Sequence, residues 1–142
     1  MVTAPASQPV ISSEFIIMGL SHAIDASRRL VITRASGHLT EEDMRFAQGM
    51  LQGDPGFRPT YRQLVDLRGV DSVVVSVPAM ARIAAASAFT PGVRRAFVGT
   101  SEEQYDMARV FATLSEPHHQ IVHVFRELTI AEAWLMEGRA PD

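Results

Sequence analysis

Residues 63 to 71, QLVDLRGVD, gather a carboxylate, a guanidinium and a second carboxylate around a short apolar run. Leu64, Val65 and Leu67 read as a buried strand. Asp66, Arg68 and Asp71 stand at or just past its end, and Ser76, Val77 and Pro78 open a helix shortly after. A buried strand that hands charge to its carboxyl end, beside a helix start, is where open α/β sheets place ligands and partners. Asp66 and Arg68, two apart, share one face of a strand, and Leu67 takes the other. Arg68 there either grips a carboxylate or phosphate from a ligand or partner, or pairs with Asp66 or Asp71 to fix the loop. A phosphate on Ser76 would meet the positive end of the helix and add about two negative charges. The plainer role for Ser76 is a helix cap.

Other chemistry-bearing groups carry less. His118, His119 and His123 surround an apolar IVHVF segment. In a strand, His119 and His123 lie about two pleats apart, too far for easy chelation, so no metal is expected. Glu41, Glu42 and Asp43, and again Glu102 and Glu103, occupy first helical turns, where negative charge is favourable on dipole grounds alone. The chain has no cysteine. It has no glycine-rich phosphate loop, GxSxG elbow or dinucleotide fingerprint either, so neither an enzyme nor a cofactor is expected.

The elements that must position these residues follow from pattern. The 142 residues suit one domain, and 46% hydrophobic with 20% charged residues is too apolar for disorder. All thirteen cations are arginine, scattered singly or as the pairs Arg28-Arg29 and Arg94-Arg95, and net charge is -3; nucleic acid is an unexpected partner. No basic residue occurs in the first twenty, and the apolar run from Phe15 to Leu20 is too short for a signal core or an integral membrane segment. A cytoplasmic location is expected.

Residues 1–13, polar with two prolines, read as a flexible N-terminal tail before a single domain over 14–142. A strand in FIIM or HAIDA and another at Leu30 to Thr33 make a hairpin. Thr40 caps a helix running to about Gln52, with Met44, Ala47, Met50 and Leu51 inward. After the 63–71 strand, Ser76 starts a helix with Met80, Ile83, Ala84, Ser87 and Ala88 on its packing stripe. Ala96 to Val98 is a strand, and Ser101 to Gln104 is a capping box heading a third helix. Its inner stripe is Met107, Val110, Phe111 and Leu114. Ile121 to Phe125 is the last strand. Thr129 and Glu132 repeat the capping-box spacing before a final helix with Ile130, Ala133, Trp134 and Met136 inward. The alternation demands a mixed, mostly parallel sheet.

Four words in this order, SGHLTEEDM (36–44), DLRGVD (66–71), RRAFV (94–98) and VFRE followed by EAWL (124–127 and 132–135), resemble the SpoIIAA-like branch of the STAS and CRAL-TRIO superfamily. The resemblance spans roughly residues 22–137. It implies an α/β fold with a five-stranded, mostly parallel mixed sheet and about four helices. Relatives of that kind bind proteins as partner switches or hold lipophilic ligands. The phosphorylated Asp-Ser pair of anti-sigma-factor antagonists is missing here, because Val74 and Val75 stand where it is expected. The leading expectation is therefore a regulatory or protein-interaction module without that pair, its partner site at Asp66, Arg68, Asp71 and Ser76, with Ser76 as the candidate phosphosite. The alternative is a carrier or sensor of a lipophilic small molecule in a helix-sheet pocket lined by Met80, Phe89, Phe97, Tyr105, Met107 and Phe111. A homodimer is expected from the exposed edge of an open sheet and the small-residue second helix.

Overall fold

The structure, a computed structural model, describes residues 11–17 and 19–138. Its elements run β1 (Ile11–Ile17), β2 (Leu20–Asp25), β3 (Leu30–Thr40), α1 (Glu41–Gln52), β4 (Arg62–Val74), α2 (Val77–Ala85), β5 (Arg94–Val98), α3 (Glu102–Ser115), a 3-10 turn, β6 (Ile121–Phe125) and α4 (Leu128–Met136). The five expected strands and four helices are all present. One more strand, β1, joins them, and Ile11, Ser12 and Ser13, expected in the tail, begin it. Residues 1–10 lie outside the described ones.

The six strands lie side by side in chain order. β1, β2 and β3 are antiparallel neighbours, and β3, β4, β5 and β6 are parallel. Parallel strands added always on the same side, through crossovers of one hand, must place every connecting helix on one face. The packing agrees: α1, α2 and α3 cover Val65, Leu67, Phe97 and Val122 on one face. α4, which follows the last strand, covers Leu64, Ala96 and Val98 on the other.

Helix starts follow the sequence closely. The Thr40 hydroxyl accepts from the Asp43 amide, the Ser76 hydroxyl from Ala79, and Ser101 and Gln104 form a reciprocal capping box. Inner faces follow less closely. Ala47 and Leu51 are buried in α1, whereas Met50 is 44% exposed; in α3, Ala108 and Ser115 are buried and Val110 is exposed. α4 departs most. Its N-cap is Glu127 without a side-chain bond, so Thr129 is not the cap, and Ala131 and Leu135 face inward while Ile130 is exposed. Its C-terminal carbonyls are instead held by arginines: Arg94 donates to Trp134 O at 2.7 Å, and Arg62 donates to Leu135 O and, at 2.9 Å, to Glu137 O. Cations belong at that end of a helix dipole.

β4 is longer than its apolar run. It continues through Val74, paired with Ser36 to Thr40 of β3, as a two-stranded extension beyond the last residue that β5 reaches, Asp66. α3 anchors that extension. Buried Gln104 donates from Nε2 to Val70 O at 2.9 Å and Arg68 O at 3.2 Å, and Glu103 accepts from the Val73 amide at 2.8 Å. Gly99 makes this approach possible, because a Cβ there would stand 2.9 Å from Gln104 Cβ and 3.1 Å from the Tyr105 amide nitrogen. Gly99→Ala is therefore expected to destabilise the protein by about 1–3 kcal/mol through forced displacement of the α3 start, read as a lower urea midpoint with unchanged slope.

Candidate functional site

Asp66 and Arg68 share a face, on the α4 side, and bind each other. Arg68 Nε and Nη2 donate to the two Asp66 carboxylate oxygens at 2.9 Å each, and the Arg68 amide donates to Oδ1 at 3.0 Å. Burial alone would raise the Asp66 carboxyl, but the bonds and charge of Arg68 outweigh it and hold the carboxyl below its usual range. The same bonds raise Arg68. Both sit inside β4, eight and six residues before its end, not at its tip. Asp71 is exposed further along the same strand. Ser76 caps α2, its Oγ accepting from the Ala79 amide at 3.2 Å. The four expected site residues thus spread over the β4 extension and the α2 start, and three of them are engaged within the chain.

His119 lies outside β6 with φ at 57°, in the left-handed region, and His123 stacks on Trp134 with ring centres 4.3 Å apart. Among the described residues, no three His, Asp or Glu side chains gather as metal ligands.

A different constellation lies under the three helices. His22 on β2, Thr33 on β3, Gln63 on β4 and Arg95 on β5 form a polar row across four adjacent strands, each at most 7% exposed. Arg95 Nε donates to Gln63 Oε1 at 3.0 Å, Gln63 Nε2 donates to Thr33 Oγ1 at 2.9 Å, and Thr33 Oγ1 lies 2.7 Å from His22 Nδ1. Burial lowers His22 to about 4, with smaller opposing contributions from the Ala47 backbone and Asp54, so the imidazole is neutral at pH 7.

Arg95 is the unusual member. Besides Gln63, its Nη1 lies 3.4 Å from Ser87 Oγ and 3.5 Å from Gln120 Oε1, both long. Its guanidinium carbon sits 4.7 Å from the centre of the Phe89 ring and within 6 Å of Phe97 and Phe111. Among the described residues no carboxylate pairs with it. Desolvation lowers it to about 10, which leaves it charged at neutral pH.

This row floors a half-open cavity of about 100 Å³. Apolar walls come from Leu39, Met44, Ala47 and Leu51 on one side and from Ile83, Phe89, Phe97, Met107 and Phe111 on the other. Of the aromatic and methionine residues expected to line a pocket, Phe89, Phe97, Met107 and Phe111 do so. Met80 is buried elsewhere in the core, and Tyr105 stacks under Arg126, 4.0 Å from ring centre to guanidinium carbon. The lining residues that also reach solvent, Met44, Gln48, Ser87 and Ala88, put the mouth between α1 and the segment after α2. A second, wider depression of about 400 Å³ opens beside Asp66, Arg34 and Gly69 on the α4 side, where the Asp66 carboxylate is already engaged.

Helices on one face of a sheet in chain order, a leading hairpin, and a last helix on the back decide the architecture. The fold is SpoIIAA-like. The chain is similar to the crystal structure of an uncharacterised DUF3478 protein from Shewanella loihica PV-4 described with that fold. The TM-score is 0.59 at 20% identity, covering 82% of this chain and 93% of the other. No protein-family model and no curated protein matches the chain. Among the described residues, no helix of this SpoIIAA-like domain is long and apolar enough to cross a membrane.

The depressed His22 has a measurable consequence. Its folded value, about 4, lies below the ordinary 6.5 of the unfolded chain, so it costs no stability above pH 6.5. As pH falls from 6.5 toward 4 the unfolded chain takes up a proton that the native one refuses. Stability should drop by up to about 1.4 kcal/mol per pH unit from this group. Urea midpoints of the wild type and His22→Gln between pH 7 and pH 4.5 check this: the variant should show the shallower decline.

Proposed function

We propose that this SpoIIAA-like domain binds a small lipophilic molecule in the cavity between its sheet and helices α1 to α3, as a carrier or sensor. The observation that carries the reading is the cavity itself: apolar walls over a short polar floor linked by hydrogen bonds, the usual division of labour in small-molecule sites. At about 100 Å³ it is smaller than the roughly 150 Å³ engineered cavity that accepts benzene. The ligand is correspondingly small, or the mouth widens for it.

Widening is cheap here. Two polar ties join α1 to α2 across the mouth, Gln48 Nε2 to Ala86 O and Arg82 to Glu41 at 3.0 Å, and both are exposed. Exposed pairs of this kind contribute on the order of 0.2–1 kcal/mol each. A binding role also fits the chemistry of the floor better than catalysis does. His22, with its pKa near 4, is a weak base toward the Thr33 hydroxyl at neutral pH.

Ligand-observed NMR with a set of lipophilic compounds of up to about ten non-hydrogen atoms tests this reading. The wild type should bind several at millimolar or better. Ala88→Phe, which fills the mouth from a half-buried position, should bind none while keeping its circular dichroism. A wild type that binds no compound, and that carries no extra mass in native mass spectrometry, would remove the reading.

A second reading has its own observation. Val74 and Val77, 63% and 53% exposed, flank Ser76 and present an apolar pair at the start of α2, in keeping with a regulatory module that docks a protein there. If so, Val74→Asp with Val77→Asp should abolish retention of any partner that the wild type captures, and leave small-molecule binding in the cavity within about twofold.

A further inference from the structure

We propose that the ligand of the cavity is a small monocarboxylate, with its ionised head on the Arg95 guanidinium and its apolar body against Phe89, Phe97 and Phe111. This rests on the cavity reading above and names the chemistry that the cavity selects.

The charge count comes first. Arg95 is the one charged side chain among those lining the cavity; the rest of the polar floor, His22, Thr33 and Gln63, is neutral. At 7% exposure and without a carboxylate partner among the described residues, it carries a desolvation cost that three neutral acceptors, two of them at 3.4 and 3.5 Å, offset incompletely. A guanidinium has five donors. An anion entering the cavity would meet donors that the protein's own acceptors hold only at long range, and would relieve that cost.

The valence comes next. With one cation and no second positive group on the cavity wall, a monoanion reaches neutrality and a phosphate dianion leaves an uncompensated charge among apolar walls, where it is strongly disfavoured. A carboxylate also matches the planar fork of arginine with two parallel bonds. Size completes the description. The cavity of about 100 Å³ takes a head and a chain of a few carbons, and a ring-sized body or a longer chain needs the mouth between Gln48 and Ala88 to widen.

Matched acids and amides separate this proposal from the general cavity reading. Benzoate and hexanoate, with benzamide, hexanamide and phenyl phosphate as controls, are titrated by calorimetry or NMR at pH 7 into the wild type, Arg95→Met and Arg95→Gln. On the wild type, each acid should bind about 10- to 100-fold tighter than its amide, as expected for a charge-assisted pair in a buried site. Phenyl phosphate should bind more weakly than benzoate. In both variants the acid and the amide should bind alike. The comparison on the wild type stands even if a variant does not fold. Equal affinity of acid and amide for the wild type overturns the proposal and leaves the cavity reading intact. Tighter binding of phenyl phosphate than of benzoate overturns it in favour of a dianion. Failure of every compound to bind overturns both.

Discussion

A guanidinium buried under three helices, with no carboxylate beside it among the described residues, carries a large desolvation cost, and a polar row across the sheet is arranged around it. Arg95 reaches no solvent to speak of, so its charge is met by dipoles and rings: the Gln63 carbonyl, the more distant Ser87 and Gln120 oxygens, and the face of Phe89. Gln63 in turn must be oriented, which Thr33 does by accepting its amide proton, and Thr33 is completed by His22. One charge thereby bears on three other side chains, one on each of three neighbouring strands. The row is continuous from Arg95 to His22, so a change at one member is felt by its neighbours through shared hydrogen bonds.

Topology explains why that row lies under helices and not at a strand tip. In α/β sheets whose strand order reverses, two neighbouring loops part and leave a crevice at the carboxyl edge. Here the parallel strands are added in one direction without reversal, so no such crevice forms. Three crossover helices crowd one face instead, and any space lies between them and the sheet. The short α2, nine residues long, cannot cover the whole of that face. The gap between its end and α1 is the mouth. The space in this architecture thus lies in the layer interface, with the exposed β4 extension and the start of α2 as a separate surface.

The elements with strong local signals were legible in the sequence. Thr40, Ser76 and Ser101 cap the helices they were expected to cap, and the parity that puts Asp66 and Arg68 on one face holds, because caps and strand alternation are decided within a few residues. What failed depends on partners distant in the chain. Gly69 and Asp71 look like the end of a strand; β3 continues past Gly37 and carries β4 with it, and Gly69 lies against the Ala35 carbonyl, 3.1 Å from where its Cβ would be. In α4 the expected Trp134 and Met136 do pack against the core, but the buried positions belong to Ala131 and Leu135 while Ile130 and Ala133 are exposed. The pair Arg94-Arg95 reads in the sequence only as one of the scattered arginine pairs. In a short strand its members must face opposite ways, and with Phe97 two places after Arg95 the parity already puts one arginine among aromatic rings. That signal was present, and charge alone concealed it.

The mouth of the cavity is held by exposed polar ties and its floor by buried ones. The floor is fixed by hydrogen bonds between buried groups on strands that pair along most of their length. The mouth is closed by an exposed ion pair and the half-buried Met44, Gln48 and Ala88. Breaking the mouth ties returns their groups to water at little cost, whereas disturbing the floor would strand polar atoms in an apolar interior. On the cavity reading proposed above, a ligand entering between α1 and the end of α2 would meet polar groups already in place.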